Sequence, residues 1–175
     1  TDYLRVHTCF LKHRAAPHRR SLIPLPPRRR RQEPVADAVP ADRLAVEVAA
    51  LPADRRMVEA GEFEVYCCAA GDIPNLLREI GRLREITFRG VGEGTGKALD
   101  LDRFDAHYLH LFLWHKEAHQ VAGAYRLGRV DEIRDRFGAK GLYTQTLFHF
   151  RRNFLARLGH ALELGRSFVR AEYQR

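Results

Sequence analysis

The residues best suited to chemistry form an acidic cluster, Asp100, Asp102 and Asp105, directly after a glycine-rich loop. Three carboxylates this close repel one another unless cations or hydrogen-bond donors face them. A substrate ammonium group would meet that need. So would Arg84 and Arg126, which interrupt otherwise apolar patterns. Because charged side chains are rarely buried without partners, the pattern predicts either a charged cleft or a structural ion-pair network under a sheet.

The loop Gly90 to Lys97 (GVGEGTGK) invites comparison with a phosphate-binding loop. Such a loop needs glycine at the position of Val91 and serine or threonine at the position of Ala98. A phosphate-binding loop also follows a strand, whereas Gly90 to Lys97 follows a predicted helix. Nucleotide binding is therefore not expected. We predict a mobile loop that closes over a substrate, with a plain flexible connector as the alternative.

Metal binding and nucleophilic catalysis have weaker support. His107 and His110 should point to opposite faces of a strand, because strand side chains alternate, and no cysteine pair or carboxylate stands near them at metal-ligand spacing. No metal site is predicted, and structural or surface roles are favoured for the four histidines of this region: His107, His110, His115 and His119. Cys67 and Cys68 are predicted to be small buried apolar residues. No Ser–His–Asp pattern with a nucleophile elbow is present.

The elements that must position the charged residues alternate between strand and helix patterns. The first is a strand over 63–68, followed by a helix with Asp72 as N-cap and Pro74 in its first turn. Residues 42–59 have helix-forming composition, broken at Pro52. Beyond the glycine loop we predict a hairpin of strands 107–115 and 120–127, helices 130–137 and 152–158 around a mixed segment 141–150, and a last strand 161–169. This order indicates an α+β fold with an antiparallel sheet.

Charge is unevenly distributed along the 175 residues. Residues 1–34 contain nine Lys or Arg against two acidic residues, a net charge of +7, while the other residues contribute only +1 to the total of +8. A nucleic-acid-binding domain usually has its basic patch on the folded part, so specific nucleic-acid binding is not expected. The proline- and arginine-rich segment 15–41 is predicted to be a disordered linker, either solvated or attracted to an anionic membrane at about 1 kcal/mol per basic residue.

Two further properties limit the class of protein. No apolar run approaches the roughly 20 residues that span a bilayer. Three cysteines, two of them adjacent, do not form a disulfide framework, which favours a reducing, cytoplasmic setting.

These residues resemble the acyl-homoserine-lactone-synthase-like branch of the GNAT acyltransferase superfamily. That branch includes the ornithine lipid N-acyltransferases and proteins labelled hemolysin-like. Its pattern runs Arg-x-x-x-Phe, an acidic segment, an Arg after a Gly, and Glu-x-x-Arg. The resemblance covers about residues 61–175, and the matching positions are Arg84 with Phe88, Asp102 and Asp105 preceded by Asp100, Arg126 after Gly123, and Glu163 with Arg166.

The resemblance implies a GNAT-like, largely antiparallel mixed sheet flanked by helices. It also implies transfer of a fatty-acyl group from an acyl carrier protein or coenzyme A thioester to an amine such as ornithine or an amino lipid, with no permanently bound cofactor. The amine attacks directly, so a group on the protein or a water must accept its proton. Asp102, Asp105 and Glu163 are the predicted catalytic residues. The predicted substrate-binding residues are Arg84, Phe88, Asp100, Arg126 and Arg166.

Two departures from the family pattern refine this expectation. Homoserine-lactone synthases have a tryptophan shortly after Arg-x-x-x-Phe, whereas the single tryptophan here is Trp114. The lipid-forming branch, acting in the cytoplasm or at the inner membrane surface, is therefore the closer match. The family's pantetheine-binding arm follows the strand that resembles 161–169.

We therefore expect 42–175 to be an incomplete GNAT-like domain, truncated at its C-terminus and inactive alone. Residues 1–14 resemble the closing helix of a glycerolipid acyltransferase domain, which would make the chain part of a bifunctional enzyme. A non-catalytic relic, or a basic-tailed module that binds membranes or nucleic acid, is the alternative.

Overall fold

A computed structural model describes residues 32–150 and 153–174, which are built around an antiparallel sheet. Its five strands lie in chain order, each hydrogen-bonded to the next. They are β1 (Arg56–Ala60), β2 (Phe63–Ala69), β3 (Leu109–His115), β4 (Gln120–Arg129) and β5 (Leu162–Val169). The predicted α+β class with an antiparallel sheet is confirmed. Strand β1 is a correction, because helix was expected there. All five of its side chains are exposed on a sheet edge, so the strand has no alternating pattern to reveal it.

Four helices flank or connect the strands in the described part of the chain. They are α1 (Ala41–Ala49), α2 (Pro74–Gly90), α3 (Val130–Phe137) and α4 (Phe154–Arg157). None of the helices in these described residues is long and apolar enough to cross a membrane. Helix α2 was predicted from its apolar spacing, and it carries Pro74 in its first turn as expected.

The N-terminus of α2 is capped from outside its own segment. The predicted N-cap, Asp72, is wrong: it lies in the preceding 3-10 turn and makes no capping hydrogen bond. Instead the backbone N–H groups of Asn75 and Leu76 donate to the carboxylate of Glu47 on α1, at 3.0 and 2.6 Å. A carboxylate at this position satisfies free amide donors and complements the helix dipole. The cap therefore joins α1 to α2.

The core lies between one face of the sheet and helices α1 and α2. Alternate residues of β2 and β3 point into it, and the apolar faces of both helices pack against them. Its main side chains are Leu44, Val48, Tyr66, Cys68, Leu76, Ile80, Leu83, Phe112 and Trp114. Cys68 is fully buried, as predicted, and burial raises the pKa of its thiol to about 12. Cys67 points to the other face and is only partly buried.

The last residues of the expected linker run beside the glycine loop. Residues 32–40 contain no helix or strand. However, the N–H of Glu33 donates to the carbonyl of Gly96 at 2.8 Å, and the N–H of Ala36 donates to that of Ala98 at 3.0 Å. The predicted helix over 1–14 and most of the predicted linker lie outside the described residues.

Candidate active site

Three elements bring the predicted charged residues together. Arg84 comes from α2, Arg126 from β4, and the two aspartates from the segment that leads into β3. Arg84 Nη1 lies 2.7 Å from Asp105 Oδ1. Arg126 Nη1 lies 2.7 Å from Asp102 Oδ1 and 3.3 Å from Asp105 Oδ2. Residues far apart in sequence thus form a single ion-pair network, as the sequence predicted.

A close approach of backbones places the acidic segment against α2. The N–H of Asp100 donates to the carbonyl of Gly81 at 3.0 Å. A Cβ atom at position 81 would lie 2.6 Å from Cγ of Leu101. Glycine at this helix position therefore allows the segment to reach Arg84, one turn further along α2.

A bulge in β5 directs Arg166 into the same network. Strands β4 and β5 pair Arg126 with Gly165 and Ala124 with Phe168, so β5 has one extra residue between these pairs. Arg166 lies in this bulge with φ of 50°, a conformation that is uncommon for residues with a side chain. Bulges frequently re-aim a side chain beside a functional site. Here the bulge directs the guanidinium of Arg166 towards Asp100 and Asp102.

Arg166 completes a set of three arginines and three aspartates. Its Nη1 lies 3.4 Å from Asp100 Oδ2, and its Nη2 lies 3.8 Å from Asp102 Oδ2. The side chains of Arg84, Arg126, Asp100 and Asp105 are each at most 5% exposed. Only the side chains of Asp102 and Arg166 remain partly accessible, at 27% and 24%. The structure therefore contains the predicted ion-pair network, which has one accessible edge, and a substrate cleft at that edge stays a prediction.

The buried carboxylates differ in how their charge is stabilised. Burial opposes the charged form of Asp105, but Arg84, the N–H of Asp102 and Arg126 outweigh it, so the pKa of Asp105 is lowered. Burial dominates at Asp100 and raises its pKa, although Arg166 and Arg84 oppose the shift. Burial also lowers the pKa of Arg84. Asp105 is therefore held as an anion, and a charge on Asp100 is poorly accommodated.

Glu163 lies beside this network without an ion pair to it among the described residues. Its carboxylate accepts hydrogen bonds from Tyr108 Oη at 2.5 Å and from the N–H of Thr144 at 2.6 Å. The ring of Tyr108 lies 5.1 Å from the guanidinium carbon of Arg126. Burial and the bond to Glu163 raise the pKa of Tyr108. The tyrosine thus connects Glu163 to the network.

Phe88 is the predicted site residue with the least connection to the network. It is half-buried on α2, one turn after Arg84. Its carbonyl accepts hydrogen bonds from Val91 and Glu93, where the helix ends. Among the residues that the structure describes, no aromatic or cation–π contact involves its ring. The aromatic rings beside the arginines instead belong to Phe104, Tyr108 and Tyr143, and the sequence analysis did not identify them.

Glu85 is a buried residue that the sequence analysis missed. Its Oε1 accepts hydrogen bonds from Arg89 Nε at 2.7 Å and from the N–H of Gly96 at 2.8 Å. Its Oε2 accepts from Thr95 N–H at 3.0 Å and from Thr95 Oγ1 at 2.6 Å. The N–H groups of Thr95 and Gly96 in the glycine loop thus bind a carboxylate of the protein. An acidic residue just before a glycine-rich loop was the available signal.

His107 and His110 make local contacts with backbone carbonyl groups. His107 lies before β3, not within it as predicted, and its Nε2 is 2.8 Å from the carbonyl of Gly141. His110 is buried, with Nε2 3.0 Å from the carbonyl of Asp105, and burial lowers its pKa. The described ranges contain no group of three or more metal-ligating side chains.

Comparisons with known proteins agree with this architecture. Residues 83–175 match the family model described as an acetyltransferase (GNAT) domain. The glycine N(alpha)-acyltransferase of Phocaeicola vulgatus is 44% identical over 124 residues, which cover 68% of this chain and 38% of that protein. The enzyme of the same name from Bacteroides thetaiotaomicron is 42% identical over 133 residues, covering 72% of this chain and 40% of that protein.

The chain therefore spans about two fifths of the length of these curated relatives. No solved structure shows significant similarity to it. The family match covers more than half of the chain and includes all the predicted site residues. The chain belongs to the GNAT acetyltransferase domain family.

Proposed function

We propose that this chain belongs to an N-acyltransferase that transfers a fatty-acyl group from a thioester to the amine of a small amino acid. The accessible edge of the ion-pair network carries this proposal. Asp102 and Arg166 place a carboxylate and a guanidinium next to each other, both partly exposed. A free amino acid has an ammonium and a carboxylate on one carbon, the two charges that Asp102 and Arg166 would bind. Glycine is the first acceptor to test, because both curated relatives are named glycine N(alpha)-acyltransferases.

The two accessible side chains would have different roles. Arg166 would bind the acceptor carboxylate, since a guanidinium provides paired donors for that group. Asp102 Oδ1 is occupied by Arg126 and by the N–H of Phe104, whereas its nearest ion-pair partner at Oδ2 is Arg166 at 3.8 Å. That oxygen would bind the ammonium and accept its proton, directly or through a water.

The reaction is a direct acyl transfer. The neutral amine attacks the thioester carbonyl carbon, the C–N bond forms, the C–S bond breaks, and the thiol leaves with a proton. Asp105 was an equally ranked candidate for the base, but both its oxygens are engaged and its pKa is lowered. We assign it to positioning Arg84 and Arg126. Both oxygens of Glu163, the third predicted catalytic carboxylate, are also engaged, so we assign it to positioning Tyr108.

The identity of the acyl donor, the lipid product and a contact with the membrane are also part of the proposal. Acyl coenzyme A is the donor to test first, because this chain matches the GNAT domain and GNAT acyltransferases use acyl coenzyme A. An acyl carrier protein thioester is the second donor to test. Ornithine also presents an α-ammonium and a carboxylate, so an ornithine lipid remains a candidate product. Attraction of residues 1–34 to an anionic inner membrane would bring the enzyme to its lipid product.

The test is an acyl-transfer assay on the full-length protein with palmitoyl coenzyme A or the acyl carrier protein thioester. Glycine and ornithine serve as acceptors, and mass spectrometry detects the N-acyl product. Arg166→Ala should raise the KM for glycine by roughly 10- to 100-fold, since a charge-assisted hydrogen-bonded contact contributes about 1.5–3 kcal/mol. Asp102→Asn should mainly lower kcat.

Arg129→Ala is the matched control, because Arg129 is an exposed arginine of β4 that pairs only with the exposed Glu132 among the described residues. It should leave both kinetic parameters unchanged. Absence of any N-acyl product, or an unchanged acceptor KM in Arg166→Ala, would contradict the proposal.

A further inference from the structure

An apolar groove lies directly beside Glu163. It has a volume of about 360 Å³, and it is formed where α3, α4 and the segment before β5 meet. Its apolar lining includes Val130, Leu142, Phe148, Leu155, Leu158 and Leu162, and its polar side chains are Thr144 and Glu163. Ligand sites in proteins are of this size and are lined mainly by apolar groups.

Several large apolar side chains of this groove are open to solvent. Phe148 is 61% exposed, Leu158 41% and Leu162 62%. Single exposed apolar residues are ordinary, but a contiguous group of them indicates a binding surface. The lining is mainly apolar, and the Glu163 carboxylate already accepts hydrogen bonds from Tyr108 Oη and from the N–H of Thr144. The ligand must therefore be predominantly apolar where it contacts the groove.

We infer that this groove binds the fatty-acyl chain of the donor. The inference rests on the proposed function. It assigns a place to the apolar acyl chain, which the charged side chains of the network cannot bind. Glu163 lines the groove, and Tyr108, which donates to Glu163, lies 5.1 Å from the guanidinium carbon of Arg126. An alkyl chain in the groove would thus lie one side chain, Tyr108, away from the network that would hold the acceptor.

Chain-length dependence of binding is the first test. The 175-residue protein is titrated with octanoic, dodecanoic and hexadecanoic acid, and heat of binding is measured. Each methylene that enters the groove should tighten the dissociation constant by roughly fourfold, until the groove is filled. Equal affinity for the three acids would overturn the inference.

A matched pair of variants locates the bound chain. Leu162 and Leu164 lie two residues apart on β5 with 62% and 61% exposure, but only Leu162 lines the groove. Both are exposed, so substitution should not disturb folding. Leu162→Asp should weaken dodecanoic acid binding by roughly tenfold or more, whereas Leu164→Asp should leave it within about twofold. Equal effects of the two substitutions, or none from either, would overturn the inference.

Two more measurements separate this inference from the proposed function. If the full-length enzyme makes N-acyl product and Leu162→Asp leaves its donor chain-length preference unchanged, the chain lies elsewhere, although the function stands. If the acids bind in the groove and no amine is acylated, the function fails and the apolar site stands. If Leu162→Asp reduces binding to phosphatidylcholine vesicles but not to free acids, the groove is a membrane contact and the inference is wrong.

Discussion

Arg84 and Asp105 form an ion pair that is almost completely shielded from water. Arg84 Nη1 lies 2.7 Å from Asp105 Oδ1, and the two side chains are 0% and 5% exposed. The pair joins helix α2 to the segment that precedes β3. Removing one partner from such a pair leaves an uncompensated buried charge, which typically costs about 3–5 kcal/mol.

Asp105→Asn should therefore lower the free energy of unfolding by about 3–5 kcal/mol. Asp100→Asn is the matched comparison, since Asp100 is equally buried but its raised pKa shows that burial disfavours its charge. Asp100→Asn should lower the free energy of unfolding by about 1 kcal/mol or less, because asparagine has no charge to bury. Urea denaturation of both variants measures the difference. Equal losses in the two variants would contradict this account of the network.

Stability should fall as the solution becomes acidic, through Asp105 and Glu85. The pKa of each is lowered in the folded state, because hydrogen bonds and neighbouring arginines outweigh the opposing effect of burial. The unfolded state then binds protons more readily. The stabilisation is complete above the unfolded pKa values of about 4 and is lost as the pH falls through the lower folded values.

Urea denaturation between about pH 7 and pH 3 measures this dependence. Asp105→Asn should flatten the curve of unfolding free energy against pH, because it removes a carboxylate whose pKa is lowered in the folded state. Asp100 acts in the opposite sense, since its raised pKa makes the folded state bind its proton more readily. Asp100→Asn should therefore steepen the acid loss, and a flatter curve for that variant would contradict the assigned pKa shifts.

Gly128→Ala should disturb the contact between Tyr108 and Glu163. A Cβ atom at position 128 would lie 2.5 Å from Cε1 of the Tyr108 ring, whose hydroxyl donates to Glu163. The ring must shift, at a cost of about 1–3 kcal/mol for overpacking. Gly165→Ala on the neighbouring strand is the control, because an added Cβ there meets nothing within 4 Å. Thermal unfolding of both variants checks this, and a smaller loss for Gly128→Ala than for Gly165→Ala would oppose it.

Glu85→Ala should release the glycine loop from α2. The N–H groups of Thr95 and Gly96 would lose their shared acceptor, and so would Arg89. The backbone amide hydrogens of Thr95 and Gly96 should then exchange with solvent at least about tenfold faster, which corresponds to about 1.4 kcal/mol of lost protection. Glu93→Ala removes an exposed carboxylate of the same loop and should leave these rates unchanged. Hydrogen exchange followed by NMR distinguishes the two variants.

The helix α2, the hairpin β3–β4 and the charged motif were predictable because each depends on local sequence. Apolar spacing shows which face of α2 is buried, and an arginine within an apolar pattern requires a partner. The edge strand β1 was not predictable in this way. All its side chains are exposed, and its stabilisation comes from hydrogen bonds to β2.

By itself the sequence determined that Asp100, Asp102 and Asp105 need cationic partners within a folded domain, and it indicated Arg84 and Arg126 as partners. The tertiary structure decided which of them are accessible. Asp105 and Arg84 are enclosed by α2 and the sheet, whereas the bulge in β5 leaves Arg166 and Asp102 at the edge. Accessibility depends on packing between elements distant in the chain, and the spacing of residues along the sequence does not specify that packing.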